Sequence, residues 1–166
     1  MRKSLLSLLV CGALAPAAAF AADSDADVAE VGREIGAVLG WRLGPEVVEE
    51  KCRDADPAGA DARSKALKTW QNKNAALIQT VDERVAEVVP LAYPAPSSEK
   101  VIAAVRAKVK QLLLETVSAE GDAAQLKSAC EAEANPARPL WTSNGIPHVH
   151  NSLAALYDWK TQREEK

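Results

Sequence analysis

The chain has one phenylalanine, one methionine, two tyrosines and four tryptophans in 166 residues. Met1 and Phe20 both stand in its first 21 residues. A domain beyond that point must therefore build its core from Val, Leu, Ile and Ala with a few Trp and Tyr, a set that favours closely packed helices. None of the three cysteines stands in a C-x-x-C or C-x-x-C-H arrangement, which argues against a dithiol redox site and covalent haem attachment. Past Met1 there is no methionine to act as an axial haem ligand. Neither a nucleophile-elbow motif nor a glycine-rich phosphate loop occurs, so the familiar hydrolase and nucleotide signatures are missing. The chain also lacks a block of cations. Its formal net charge is −3, and removing Arg2 and Lys3, the only charges in the first 21 residues, takes that to −5. An acidic domain of this kind has no electrostatic footprint for nucleic acid or anionic lipid.

What is present begins with export. Arg2 and Lys3 precede a short apolar stretch from Leu5 to Leu14, and Ala19-Phe20-Ala21 follows in the A-x-A order of a cleavage site. The stretch is shorter than the ~20 apolar residues that cross a bilayer. The expectation is a signal peptide at 1–21, cleaved before Ala22, and a single mature domain at 22–166 delivered to the periplasm or secreted outright. Cys11 follows Val10 where a lipobox has Gly or Ala, and cleavage there would leave too short an apolar core, so no lipid anchor is expected.

Cleavage leaves two cysteines in an oxidising compartment, and Cys52 with Cys130 is then the single intramolecular pairing available. For a loop of this length the chain-entropy model gives about 4–5 kcal/mol, an upper figure.

Apolar spacing is helical nearly everywhere along the mature chain, and period-two alternation is not sustained over any strand-length window. The fold class predicted is all-α, a bundle of about four main helices with short extra ones. Ser24 and Asp27 form a capping box before Val28, Val31, Ile35, Val38 and Leu39, which recur at threes and fours up to Gly44. Pro45 opens a short second helix over Glu46 to Arg53. Leu67, Trp70, Leu77, Val81, Val85 and Val88 then share one stripe of a long third helix from Pro57 to about Val89, with Asn74 on the same stripe. Pro90, Pro94 and Pro96 mark a reversal of the chain. Ser97 or Ser98 caps a fourth helix whose Val101, Ile102, Val105, Val109, Leu112, Leu113 and Val117 face inward, ending near Gly121. A fifth starts at Asp122 with Gln125, carries Cys130, and stops before Asn135-Pro136. After a loop to Ile146, Pro147 opens a last helix with Val149, Leu153, Leu156 and Tyr157 on one stripe, followed by a polar tail from Lys160.

Several constellations invite a chemical reading. His148 and His150 lie two apart, which on a helix points them about 200° from each other and prevents them from sharing a metal. Asp23, Asp25 and Asp27 resemble the opening of a calcium loop with Glu34 at its twelfth position, but Val28 stands where the sharp turn needs glycine. Acids there complement the positive end of a helix dipole. Glu49-Glu50 and Glu131 with Glu133 read as solvated helix faces rather than acid–base pairs. No metal and no cofactor is implied.

Two aromatic features remain. Trp70 with Asn74 places an amide on an apolar stripe, where it would either fix helix register or line a small pocket. Arg138, Trp141 and Asn144 lie in the loop ahead of the last helix, and Trp and Arg are residue types enriched at binding hot spots. Trp141 would either pin that loop to the bundle or recognise a partner. Cys52-Arg53-Asp54, Trp70-x-x-Lys73-Asn74 and Cys130 together resemble small exported helical proteins of proteobacteria, in which a cysteine precedes a helix bearing Trp, a basic residue and Asn. The resemblance implies a disulfide-stapled periplasmic helical fold and no particular activity. The expectation is a binding or adaptor protein for a protein or small-molecule partner. The alternative is an enzyme whose site is assembled from dispersed polar residues.

Overall fold

The computed structural model describes residues 25–94, 97–119, 123–133 and 146–165. Among them are six α-helices, one 3-10 turn and no strand: α1 Asp25–Ala55, a turn at Pro57–Gly59, α2 Ala60–Lys73, α3 Ala75–Ala92, α4 Ser98–Ala119, α5 Ala123–Glu133 and α6 Ile146–Glu164. The chain is all-α, as its apolar spacing predicts. Helix α1 is the axis of the molecule and packs against all five of the others.

The core lies where four helices bring their apolar stripes together. Val31, Ile35, Val38 and Leu39 of α1 meet Val81, Val85, Val88, Val89 and Ala92 of α3, Val109 of α4, and Val149, Leu153 and Leu156 of α6. Valine dominates, and such short branched side chains fill the space between helices without the reach of Phe or Met. Helices α2 and α5 contribute nothing to this cluster. Helix α2 is held by the Trp70 ring and the Arg63 hydrogen bonds, and α5 by the disulfide.

The structure redraws four boundaries. Helix α1 does not stop at Gly44; it runs through Pro45 to Ala55. A proline at this depth removes one backbone hydrogen bond, but tertiary contacts carry the helix onward. Arg42 donates to Glu46 across the proline at 2.7 Å, and Val47 and Cys52 are buried beyond it. The predicted helix from Pro57 to Val89 is instead a 3-10 turn and two helices, broken at Asn74. Pro90 does not stop α3, which ends two residues later at Ala92. The tail from Lys160 stays helical to Glu164. Ser97, rather than Ser98, supplies the cap of α4: its hydroxyl accepts from the Lys100 amide at 3.5 Å.

One inward and two outward assignments are corrected as well. Tyr157 is exposed, with the Arg84 guanidinium 4.9 Å from its ring centroid. Of the carboxylates read as solvated, Glu50 and Glu131 are exposed but Glu49 and Glu133 are buried. Glu49 accepts from Arg53 at 2.7 Å, one turn along the same helix.

Cys52 and Cys130 form the predicted disulfide, with their Cα atoms 5.3 Å apart. It fastens α5 to the C-terminal end of α1. No described helix is long and apolar enough to cross a membrane.

Candidate functional site

Three places bring polar chemistry together, and the first surrounds the disulfide. Both cysteines sit in the last turns of their helices, so the carbonyl ends of two helix dipoles, each of them negative, lie beside the bond. Arg63 of α2 meets them. Its side chain is fully buried. Nη2 donates to the Cys52 carbonyl at 2.9 Å and to the Asp56 carbonyl, while Nη1 donates to the Asp56 carboxylate at 2.6 Å and reaches the Cys130 carbonyl at 3.4 Å. One guanidinium thus caps α1, touches the backbone of both bridged cysteines and neutralises the Asp56 carboxylate. The fork geometry of arginine makes this arrangement possible, since a lysine ammonium has no planar array of five donors.

Sequence reasoning missed Arg63. Its signal was positional: Arg63, Leu67 and Trp70 stand at i, i+4 and i+7, which puts the arginine on the buried face of its helix. A cation on an apolar stripe must find partners, and Asp56 is seven residues upstream.

The second place is the elbow between α2 and α3. Trp70 is buried and packs on Trp41 of α1, with ring centroids 5.1 Å apart and planes inclined at 54°. Asn74 does not act as a register amide inside a continuous helix. It is half-buried at the break itself, where its Nδ2 donates to the Trp70 carbonyl at 2.8 Å and its backbone N–H donates to the same oxygen at 3.0 Å. Two donors meet on one carbonyl at the end of α2, the Asn74 side chain adding to the backbone bond.

The elbow opens a cleft of about 380 Å³ between α1 and the α2–α3 pair. Ile78 and Ala75 supply its apolar lining; Gln71, Asn72 and Gln79 bring three primary amides, and Arg42, Asp82 and Glu83 bring charge. A network fixes the charged groups. Arg42 pairs with Glu46 and lies 3.7 Å from the Asp82 carboxylate, which accepts from Arg106 of α4 at 2.9 Å. Gln71 donates to Glu46 at 3.2 Å. Asp82 is therefore engaged by cations from two helices and is poorly placed to act as a general base.

The third place is a smaller groove of about 220 Å³ between the start of α1 and the end of α6, lined by Asp27, Glu30, Glu34, Asp158 and Trp159. The Arg163 guanidinium lies 4.5 Å from the Trp159 ring centroid. Acids at the start of α1 face this groove, where they also complement the helix dipole.

Of the residues singled out from sequence, Cys52 with Cys130, and Trp70 with Asn74, are brought together as pairs. Arg138, Trp141 and Asn144 lie outside the described residues. His148 and His150 are exposed in the first turn of α6. Among the described residues no group of three or more His, Cys, Asp or Glu is placed to hold a metal ion. Comparison with family models, with curated proteins and with solved structures finds no match.

Proposed function

We propose that this chain is an exported, disulfide-stapled helical binding protein that takes a small polar ligand in the cleft between α1 and the α2–α3 elbow. The observation that carries this reading is the cleft, an open depression of about 380 Å³ in which a few polar groups converge over an apolar lining. Three amides line it without net charge, of which Gln71 already donates to Glu46 at 3.2 Å and Gln79 to Glu83 at 2.7 Å. The ion pairs around Arg42 and Asp82 hold the charged walls in place before any ligand arrives, and such preorganisation lowers the cost of binding.

Export is supported by the order of charge, apolar core and A-x-A site in the first 21 residues. The Cys52–Cys130 bond fits the same reading, since disulfides persist in oxidising compartments such as the periplasm or the exterior. The loop carrying Arg138, Trp141 and Asn144 remains the proposed surface for a protein partner.

The test is a thermal-shift panel of small polar molecules, including amino acids, dipeptides, sugars and dicarboxylates, run on the wild type and on Gln71→Ala/Gln79→Ala. A ligand of the native state raises Tm in proportion to its occupancy. The proposal expects at least one compound to stabilise the wild type and to lose its effect on the variant. A compound that stabilises both equally places the site elsewhere, and a panel without effect argues against the cleft.

A further inference from the structure

We infer that the Cys52–Cys130 bond is a redox-operated latch for α5: its reduction undocks residues 123–133 from α1 while the core of α1, α3, α4 and α6 stays folded. This device is independent of the proposed cleft, whose lining comes from α1, α2 and α3, so either can fail alone.

The argument starts from the composition of α5. Its eleven residues, AAQLKSACEAE, contain one large aliphatic side chain, Leu126. Eight of the eleven are exposed, Leu126 is half-buried, and only Cys130 and Glu133 are buried. A helix of this length is marginal in water on its own, and most helices in proteins are held by an apolar face that α5 does not have. No residue of α5 joins the apolar core. Among the described residues its main packing partner is α1, and the covalent link joins the last turns of the two helices.

Arg63 shows which side of the joint would survive. Three of its four bonds go to Cys52 and Asp56, within the α1 end, and only the longest, at 3.4 Å, reaches the Cys130 carbonyl of α5. Cleaving the disulfide therefore leaves the cap of α1 satisfied. What α5 loses is the tether that keeps its few contacts at high effective concentration.

The chemistry requires a dithiol reductant. One of its thiolates attacks a cystine sulfur and breaks the Sγ–Sγ bond, the released thiolate takes a proton, and the second thiol of the reductant resolves the mixed disulfide. Two electrons pass to the protein, Cys52 and Cys130 end as thiols, and the reductant ends as a disulfide. Both sulfurs belong to buried residues, so attack needs a local opening, and α5, with eight of its eleven residues exposed, is the element whose opening would expose Cys130. Opening uncovers the end of α1 around Cys52 together with Arg63.

The experiment is hydrogen–deuterium exchange by mass spectrometry on the full mature chain, oxidised, after incubation with dithiothreitol under native conditions, and as Cys52→Ala/Cys130→Ala. The latch expects peptides from 123–133 to exchange about ten-fold faster or more in the reduced and variant proteins, with peptides from 31–39 and 81–89 changing less than about two-fold. Reoxidation should restore the protection of α5. Three results would overturn it: a bond that native-state dithiothreitol does not reduce, unchanged protection of α5 after the bond is gone, or core peptides that lose protection together with α5. The last would make the disulfide a staple of the whole fold.

Discussion

Replacing Arg63 with alanine would leave the Asp56 carboxylate, one tenth exposed at its side chain, without its cation, and would take from the Cys52 carbonyl one of its two donors, the other being the Asp56 backbone N–H at 2.9 Å. Removing one partner of a buried ion pair costs about 3–5 kcal/mol. Partial access of water to Asp56 moves the expectation to the lower part of that range, about 3–4 kcal/mol after allowing about 1 kcal/mol for the carbonyl bond. With an m-value of about 2 kcal/mol/M, the urea midpoint of the oxidised protein should fall by roughly 1.5–2 M. Arg63→Lys keeps the charge but loses the planar fork, so it should recover less than half of the loss. A double-mutant cycle with Asp56→Ala isolates the pair, and we expect a coupling of about 2–3 kcal/mol. If Arg63→Ala shifts stability by less than about 1 kcal/mol, or if the two substitutions are additive within about 0.5 kcal/mol, then Arg63 is not the joint described above.

Trp70→Ala should cost about 3–5 kcal/mol, since it empties a buried ring site and removes the partner of Trp41; thermal or urea unfolding measures it, and a cost under 1 kcal/mol would mean that α2 is not anchored there. Asn74→Ala should cost only about 0.5–1.5 kcal/mol, the worth of one helix-ending hydrogen bond, and should leave the oligomeric state seen by light scattering unchanged. Burial raises the Tyr93 hydroxyl above its ordinary value of 10.0, so the folded state holds that proton after the unfolded state has released it. The stability it contributes is full below pH 10 and declines as pH rises through the raised value, and Tyr93→Phe should flatten that decline in unfolding curves recorded between pH 9 and 11. A Cβ at Gly32 would stand 2.9 Å from the Tyr93 hydroxyl oxygen, so Gly32→Ala should displace that ring and lower the Tyr93 pKa toward its ordinary value, as read by ultraviolet titration.

The apolar stripes were legible because they obey helical spacing wherever a helix packs on the core. Val31, Ile35, Val38 and Leu39 of α1, and Val81, Val85 and Val88 of α3, fall where the spacing puts them. The disulfide followed from cysteine arithmetic combined with the predicted loss of Cys11. Helix boundaries were less legible, because residue propensities compete with side-chain hydrogen bonds and burial that residue type alone does not announce. Pro45 reads as a start, yet the Arg42–Glu46 brace and the burial of Val47 and Cys52 carry α1 across it. Asn74 reads as one more member of a stripe, yet it stands at the end of α2, where its side chain donates to the Trp70 carbonyl. Tyr157 falls on an inward register but has a hydroxyl and a ring that Arg84 can cover at the surface.

The candidate site was legible only in part. Trp70 and Asn74 mark the elbow, but the cleft beside them draws on Arg42, thirty residues upstream, and on Asp82 and Gln79 of the next helix. Glutamines and asparagines on exposed helix turns look alike in a sequence whether or not they converge. Arg63 was the informative residue that composition hides, since one arginine among twenty basic residues stands out only when its register with Leu67 and Trp70 is compared with the acid it must meet.

The most direct measurement is native mass spectrometry of the protein taken from its own host, recorded with and without reductant. The account predicts a chain that begins at Ala22, weighs two hydrogens less than its reduced form, and carries a co-purified small polar molecule that Gln71→Ala/Gln79→Ala fails to retain. A chain that still begins at Met1, with free thiols and no bound mass, would contradict it.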